Sequence, residues 1–259
     1  MLAVIFAGGL GTRISTETLV KPKPMISIKN KPILIYIINH LRKFGVNKII
    51  ISGGYKYNYI FNYFLNYKSN NLFFDNTLKK NFLKKNLDLF NKSKNKKKYL
   101  LKVINTGLNS QTGGRIFYLK NILENEPFFF ATYGDGLSNV NLRKNLNFFL
   151  KSKKKCFVTA VKSPPRFGEI SIDKKNIVKS FDEKPSSNAS WINGGFFILN
   201  KRIFDYLKKD ENFEKQTLPK LVKKKDLVSL KHYGFWQCLD TPRDKITLEK
   251  IIKNEKNKF

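Results

Sequence analysis

Cysteine and histidine are scarce: Cys156, Cys238, His40 and His232 are the only four in 259 residues. The two cysteines form neither a disulfide framework nor a metal-ligand spacing. A reducing, cytoplasmic setting is the simplest expectation. Long hydrophobic runs are also missing. The longest, "ILIYII" at 33–38 and "FFFA" at 128–131, are too short to span a bilayer, so no membrane insertion is expected. The apolar stretch after Met1 has no basic leader and no small-residue cleavage site. It reads as a first strand and not as a signal peptide.

Arginine is rare too. Of 50 basic residues only seven are arginine, against 19 acidic residues and a net charge of +31. Readers of nucleic acid lean on arginine for bidentate contacts. A lysine excess beside abundant Asn, Ile and Phe reads instead as A/T-rich codon usage. No specific nucleic-acid partner is expected, only non-specific attraction to polyanions at low salt.

What is present is an alternation. Residues 2–6 form a continuous apolar run, as in a buried parallel strand. Positions 33, 36, 37, 40, 41 and 44 are apolar or His40 on one helical face, with Asn30 as a cap, Pro32 in the first turn and Gly45 as the stop. His40 on that face reads as structural, and His232 has no visible partner. Strands are expected at 48–52, 100–105, 128–132 and 156–161, and helices at 57–67, 115–123 and 141–150. This predicts an α/β, doubly wound, mostly parallel mixed sheet with right-handed crossovers and ligands at the carboxyl ends of strands. After Pro164-Pro165 a small β-hairpin with a turn at 173–176 is expected. A strand at 192–200, two amphipathic helices, a strand at 227–233 and a closing helix at 242–252 follow it. The Lys/Asn-rich stretch 68–98 has no clean period and reads as an insertion or flap. The whole is read as one domain with a first half to about 150 and a second half beyond.

Three stretches carry chemistry. In "AGGLGTR" at 7–13, Gly8, Gly9 and Gly11 let backbone N–H groups face an anion, and Arg13 offers a planar charged fork for phosphate oxygens. Lys23 stands between Pro22 and Pro24, which stiffen the chain on both sides. The spacing fits neither a Walker A loop nor a dinucleotide fingerprint. "ATYGDG" at 131–136 ends an apolar strand in Asp135, and "QCLDTPRD" at 237–244 sets Asp240 before a helix. A strand-end turn and a helix N-cap are the structural alternatives for these two acids. Two distant aspartates also suit Mg²⁺, which takes one or two carboxylates plus substrate phosphates.

Taken in order, "AGGLGTR…KPKPM", "TGLNSQTGGR" at 106–115, "YGDG", "RFGEI" at 166–170, "FDEKP" at 181–185, "INGGFF" at 192–197 and "GFWQCLDTPRDK" at 234–245 resemble the sugar-1-phosphate nucleotidylyltransferases over essentially the whole chain. The set is most similar to the branch that uses CTP and glucose 1-phosphate. The resemblance implies a Rossmann-like nucleotidyltransferase fold. It implies a nucleotide site of Phe6, Ala7, Gly8, Gly9, Leu10, Gly11, Thr12, Arg13, Lys23, Ser110, Arg115 and Gly134, with Ser110 and Arg115 in the base-recognition segment. Arg13, Lys23 and Asp135 carry the catalytic roles, and Asp135 and Asp240 hold Mg²⁺. Glu183, Lys184, Asn193 and Gly194 are the sugar-phosphate contacts, and the relatives form homo-oligomers. The chain departs from the pattern at Ile28-Lys29-Asn30, where many relatives carry a glycine pair, and over 68–98. Alternatives are the same chemistry with another nucleotide or sugar, thymidylyl or uridylyl transfer included, and a noncatalytic nucleotide-sugar-binding subunit.

Overall fold

In the run LAVIFA every residue is buried, because strand β1 (Leu2–Ala7) is covered on both faces. Leu2, Val4 and Phe6 belong to one apolar cluster, and Ala3, Ile5 and Ala7 to the other, as the twofold alternation of a strand requires. The computed structural model describes residues 1–66, 86–90, 99–162, 169–172, 176–182 and 190–254.

The elements after β1 are α1 (Ser15–Thr18), β2 (Ser27–Ile28), β3 (Lys31–Pro32), α2 (Ile33–Lys43), β4 (Lys48–Gly53), α3 (Tyr57–Asn66), β5 (Asn86–Phe90), β6 (Leu100–Asn105), α4 (Thr112–Tyr118) and α5 (Lys120–Leu123). There follow β7 (Phe128–Tyr133), β8 (Gly136–Ser138), α6 (Leu142–Ser152), β9 (Cys156–Lys162), β10 (Glu169–Ile172), β11 (Val178–Asp182), β12 (Trp191–Asn200), α7 (Leu218–Lys223), β13 (Leu227–His232), β14 (Trp236–Cys238) and α8 (Pro242–Asn254). Eight strands form the central sheet in the order β13-β9-β12-β7-β1-β4-β6-β5. β1 is parallel to β4 and β7, β4 to β6, and β13 to β9. β12 runs antiparallel between β7 and β9, and β5 antiparallel at the edge. The sheet is mixed, as expected. Residues of α2, α3, α6 and α8 pack on one face, and residues of α4, α5 and α7 on the other.

Most expected elements are found within a residue or two of their expected bounds. The hairpin is β10 paired with β11. Part of its expected turn, 173–175, lies outside the described residues. Four expectations need correction. Asn30 does not cap α2: Pro32 stands at the N-cap with no side-chain bond, because residues 27–32 form the small β2–β3 ladder instead. The single helix at 115–123 begins earlier and is two, broken at Leu119. The first expected amphipathic helix is a 3₁₀ turn (Lys201–Asp205), and the second opens with a π turn (Phe213–Thr217) running into α7. Within 68–98, residues 86–90 extend the sheet; the remainder lies outside the described residues.

Candidate active site

β7 enters on the far side of β1 from β4 and β6, so the order of strands reverses at the β1/β7 junction. Ligands of open α/β sheets lie in such crevices, beyond the carboxyl ends of the strands. A cavity of about 300 Å³ opens there, lined by Phe6–Gly9, Gly11–Arg13, Lys23, Pro24, Ser110–Thr112, Arg115 and Tyr133–Asp135. Eleven of the twelve nucleotide-site residues named from the motifs, all but Leu10, therefore line one cleft. Leu10 is exposed and stands outside the lining.

The proline-flanked lysine is placed by local geometry. Pro22 is extended, Lys23–Met25 makes one 3₁₀ turn, and the Met25 N–H closes on the Pro22 carbonyl at 2.8 Å. The turn packs Pro24 against Gly134. A Cβ at Gly134 would stand 2.8 Å from both the Phe6 carbonyl oxygen and Pro24 Cγ, so only glycine admits this approach. Lys23 is buried, and its Nζ lies 2.6 Å from Asp135 Oδ2 and 2.6 Å from Asp240 Oδ1. Arg13, largely exposed, donates to Asp240 Oδ2 at 2.7 Å. Two carboxylates and two cations thus meet at the cleft. Burial disfavours the Lys23 ammonium, but Asp135 and Asp240 outweigh burial and raise its pKa. Burial likewise works against the Asp240 carboxylate, yet Lys23 and Arg13 hold its pKa below the usual value.

The alternative roles of the two acids are decided by their neighbours. Asp240 is not the cap of α8. Thr241 and Asp244 make that cap reciprocally: the Asp244 backbone N–H donates to Thr241 Oγ1, and the Thr241 backbone N–H and hydroxyl donate to Asp244 Oδ2. This is capping-box geometry, and it leaves the Asp240 side chain to Lys23 and Arg13. Asp135 does sit in a turn, but its carboxylate faces Lys23.

Arg115 lines the cleft from below. Its guanidinium donates to the carbonyls of Gly8, Gly53 and Gly107 at 2.9, 2.9 and 3.0 Å and to Thr106 Oγ1 at 2.7 Å. It ties the loops after β1, β4 and β6 together. Burial pulls its pKa down to about 10, which leaves it charged at neutral pH. Asn193 and Gly194 lie on β12, outside the cleft lining, and the Asn193 amide reaches the Tyr133 hydroxyl at 3.1 Å. Glu183 and Lys184 lie outside the described residues. Cys238 Sγ stands 3.5 Å from Asp240; burial first, then the nearby carboxylates, push its thiol up to about 12, so it is no nucleophile at neutral pH. His232 does have a partner, the Phe235 carbonyl at 3.1 Å, supplied by the tight turn before β14.

The motifs missed Pro24, Gln111, Thr112 and Tyr133 as lining residues, although all four lie inside stretches already singled out.

The whole described fold from residue 2 to 253 matches the family model for nucleotidyl transferases. The chain belongs to the nucleotidyl transferase family. Within that family it is similar to a curated glucose-1-phosphate cytidylyltransferase of Salmonella typhimurium, at 37% identity over 99% of this chain and 97% of the relative. It is also similar to a probable glucose-1-phosphate cytidylyltransferase of Bacillus subtilis, at 36% identity over 97% of this chain and 96% of that one. Among solved structures, HddC from Yersinia pseudotuberculosis superposes with a TM-score of 0.66 and 26% identity, covering 97% of this chain and 99% of the other. As a nucleotidyl transferase, the chain carries its glycine-rich loop at the carboxyl end of β1 and two aspartates from distant parts of the sequence, brought together on Lys23.

Proposed function

We propose that this nucleotidyl transferase moves a cytidylyl group from CTP to α-D-glucose 1-phosphate, giving CDP-glucose and pyrophosphate. The observation that carries the reading is the Lys23 ammonium, held 2.6 Å from both Asp135 and Asp240 beside a glycine-rich loop. The near full-length similarity to glucose-1-phosphate cytidylyltransferases supports the choice of base and sugar.

The reaction brings a sugar-phosphate dianion up to the α-phosphorus of a triphosphate. One pair of like unit charges about 4 Å apart costs roughly 4 kcal/mol at an effective dielectric near 20, and several such pairs form. The sugar-phosphate oxygen forms a bond to the α-phosphorus as the bond to the β-phosphate breaks. No general base is required, since the nucleophile is already an anion. Arg13, exposed at the mouth of the cleft, takes charge on the departing pyrophosphate. Lys23 neutralises the α-phosphate side. Gly8, Gly9 and Gly11 bring the loop backbone against the nucleotide, with Thr12 beside the triphosphate and Ser110 toward the base. Arg115, whose donors go to protein acceptors, keeps those loops in place. Glu183, Lys184 and Asn193 are assigned to the sugar phosphate.

The donor set fits Mg²⁺: two carboxylates converge on one point from different strands' ends, the number that Mg²⁺ uses with substrate phosphates. Asp135 and Asp240 would hold it. Bound there, the ion would supply Lewis-acid polarisation and a template for the two phosphates. Lys23 and Arg13 already balance both carboxylates in the absence of substrate. The same reading makes the protein a single-domain cytoplasmic enzyme working as a homo-oligomer, with no specific nucleic-acid partner. Among the described residues no helix is long and apolar enough to cross a membrane.

Pyrophosphate release with glucose 1-phosphate and Mg²⁺, offering CTP, UTP, dTTP, ATP and GTP separately, tests the proposal. Release with CTP, lost in Asp135→Asn, is the expected result. Release with a different nucleotide alone moves the base specificity, and silence with all five overturns the reading.

A further inference from the structure

Tyr133, the last residue of β7, is absent from the roles assigned above, yet it lines the cleft and bonds Asn193 outside it. Its hydroxyl donates to Glu214 Oε1 at 2.6 Å and accepts from Asn193 Nδ2 at 3.1 Å. The other Glu214 oxygen accepts from the Thr112 hydroxyl. Thr112 in turn accepts from the Phe213 backbone N–H at 3.1 Å, and Asn212 reaches Gln111 at 3.2 Å. An unbroken chain of hydrogen bonds therefore runs from the 110–112 segment, which faces the nucleotide cleft, to Asn193 on β12.

The direction of each bond is determined. A carboxylate only accepts, so the single Tyr133 proton goes to Glu214 and the phenol oxygen is left as the acceptor for Asn193. Burial, then the adjacent Glu214 carboxylate, holds that phenol protonated far above its usual range. Asn193 Oδ1 accepts from the Gly195 backbone N–H at 2.8 Å, which sets the amide the right way round for Nδ2 to donate. Asn193 is exposed, and Nδ2 carries a second hydrogen besides the one given to Tyr133. Gly195 has φ +76°, and a Cβ there would stand 2.4 Å from the Tyr133 ring. The ring position is thus built into the backbone of β12. Glu214 itself lies in the π turn Phe213–Thr217, a local insertion that recurs at functional sites.

We infer that Tyr133 and Glu214 are positioning residues that orient Asn193 toward the sugar phosphate and tie that orientation to the nucleotide-facing segment 110–112. The inference rests on the proposed reaction and deepens it by naming what sets the acceptor side. Tyr133→Phe removes the bond to Asn193 and leaves Thr112 on Glu214. Glu214→Ala removes both arms. Glu214→Gln keeps an oxygen acceptor for Tyr133.

The test is steady-state kinetics of pyrophosphate release, with the KM of each substrate measured separately, together with calorimetric binding of CTP. For Tyr133→Phe the expected result is a rise of about tenfold in KM for glucose 1-phosphate, the worth of one hydrogen bond, with CTP affinity within about twofold of wild type. Glu214→Ala raises both constants, and Glu214→Gln restores the glucose 1-phosphate KM to within about threefold. The double variant Tyr133→Phe/Glu214→Ala is no worse toward glucose 1-phosphate than Glu214→Ala alone, because the two act through one chain. A purely structural role would lower melting temperature and kcat without separating the two KM values. An active wild type whose Tyr133→Phe variant shifts neither KM, or shifts both alike, overturns the inference alone. A wild type that neither binds CTP nor releases pyrophosphate overturns the underlying reading with it.

Discussion

Replacing Lys23 with methionine should turn a neutralised cluster into a cation trap. The ammonium lies 2.6 Å from each of two carboxylates, and the side chains of Lys23 and Asp240 are about nine-tenths buried. At an effective dielectric near 20, each contact is worth about 6 kcal/mol in gross Coulomb terms, offset by the cost of taking the charges out of water. Removing one partner of a buried pair costs roughly 3–5 kcal/mol because the other charge is left uncompensated. Asp135 is about a quarter exposed and Arg13 still serves Asp240, so roughly 2–4 kcal/mol is expected here. For a chain of this length that is a fall of roughly 5–15 °C in melting temperature. Methionine keeps most of the apolar stem, so the loss reports charge and not volume. The informative measurement is thermal unfolding with and without millimolar Mg²⁺ or Mn²⁺, in the absence of nucleotide. Wild type should barely respond, since Lys23 and Arg13 already balance the two carboxylates. The variant should regain a large part of its lost melting temperature. A variant as stable as wild type, or metal shifts equal in both proteins, would refute the electrostatic account of the cluster.

Gly134→Ala should cost about 1–3 kcal/mol, as overpacking does, because the new Cβ meets the rigid Phe6 carbonyl and Pro24; denaturant unfolding reads the loss, and pyrophosphate release should fall with it as Lys23 is displaced. His40 gives a pH signature. It is buried, its Nε2 lacks a hydrogen-bond partner, and burial followed by Lys43 pulls its pKa down to about 4. The folded value lies below the unfolded one near 6.5, so the unfolded chain binds the extra proton. Stability is therefore full above about pH 6.5 and is lost as pH falls toward about 4, by roughly 2 kcal/mol at about pH 5. Denaturant midpoints across that window should fall for wild type, and His40→Leu should flatten this part of the slope; an unchanged slope would assign it to other groups.

The amino-acid sequence determined what depends on near neighbours. A short apolar run that breaks off in a glycine-rich turn reads as a strand buried on both faces, and β1 is one. Gly45, at φ +84° with its N–H on the Arg42 carbonyl, ends α2 as a glycine after a periodic helix should. Asn141 caps α6 through a bond to the Lys144 N–H. The glycine-rich loop and the proline-flanked lysine were legible as a site because both are local distortions that an ordinary surface has no reason to hold. The order of motifs along the chain carried the family.

Tertiary structure decided what depends on residues far apart in the chain. Lys23 meets Asp135 and Asp240 across 112 and 217 positions, and nothing near Asp240 tells a cap from a site acid until Thr241 and Asp244 are seen to cap α8. Asn30 has a capping residue's chemistry but sits in the turn that joins β2 to β3. The antiparallel entry of β12 between β7 and β9 follows from pairing, not from its own pattern. Arg115 reads from sequence as a group for the ligand, yet burial among three loop carbonyls directs its donors inward. Glu214 carries no local signal at all: it gains its place only when the π turn brings its carboxylate between Thr112 and Tyr133. Side-chain direction along one element is set by backbone period, whereas the meeting of charges from separate elements is set by how the sheet assembles.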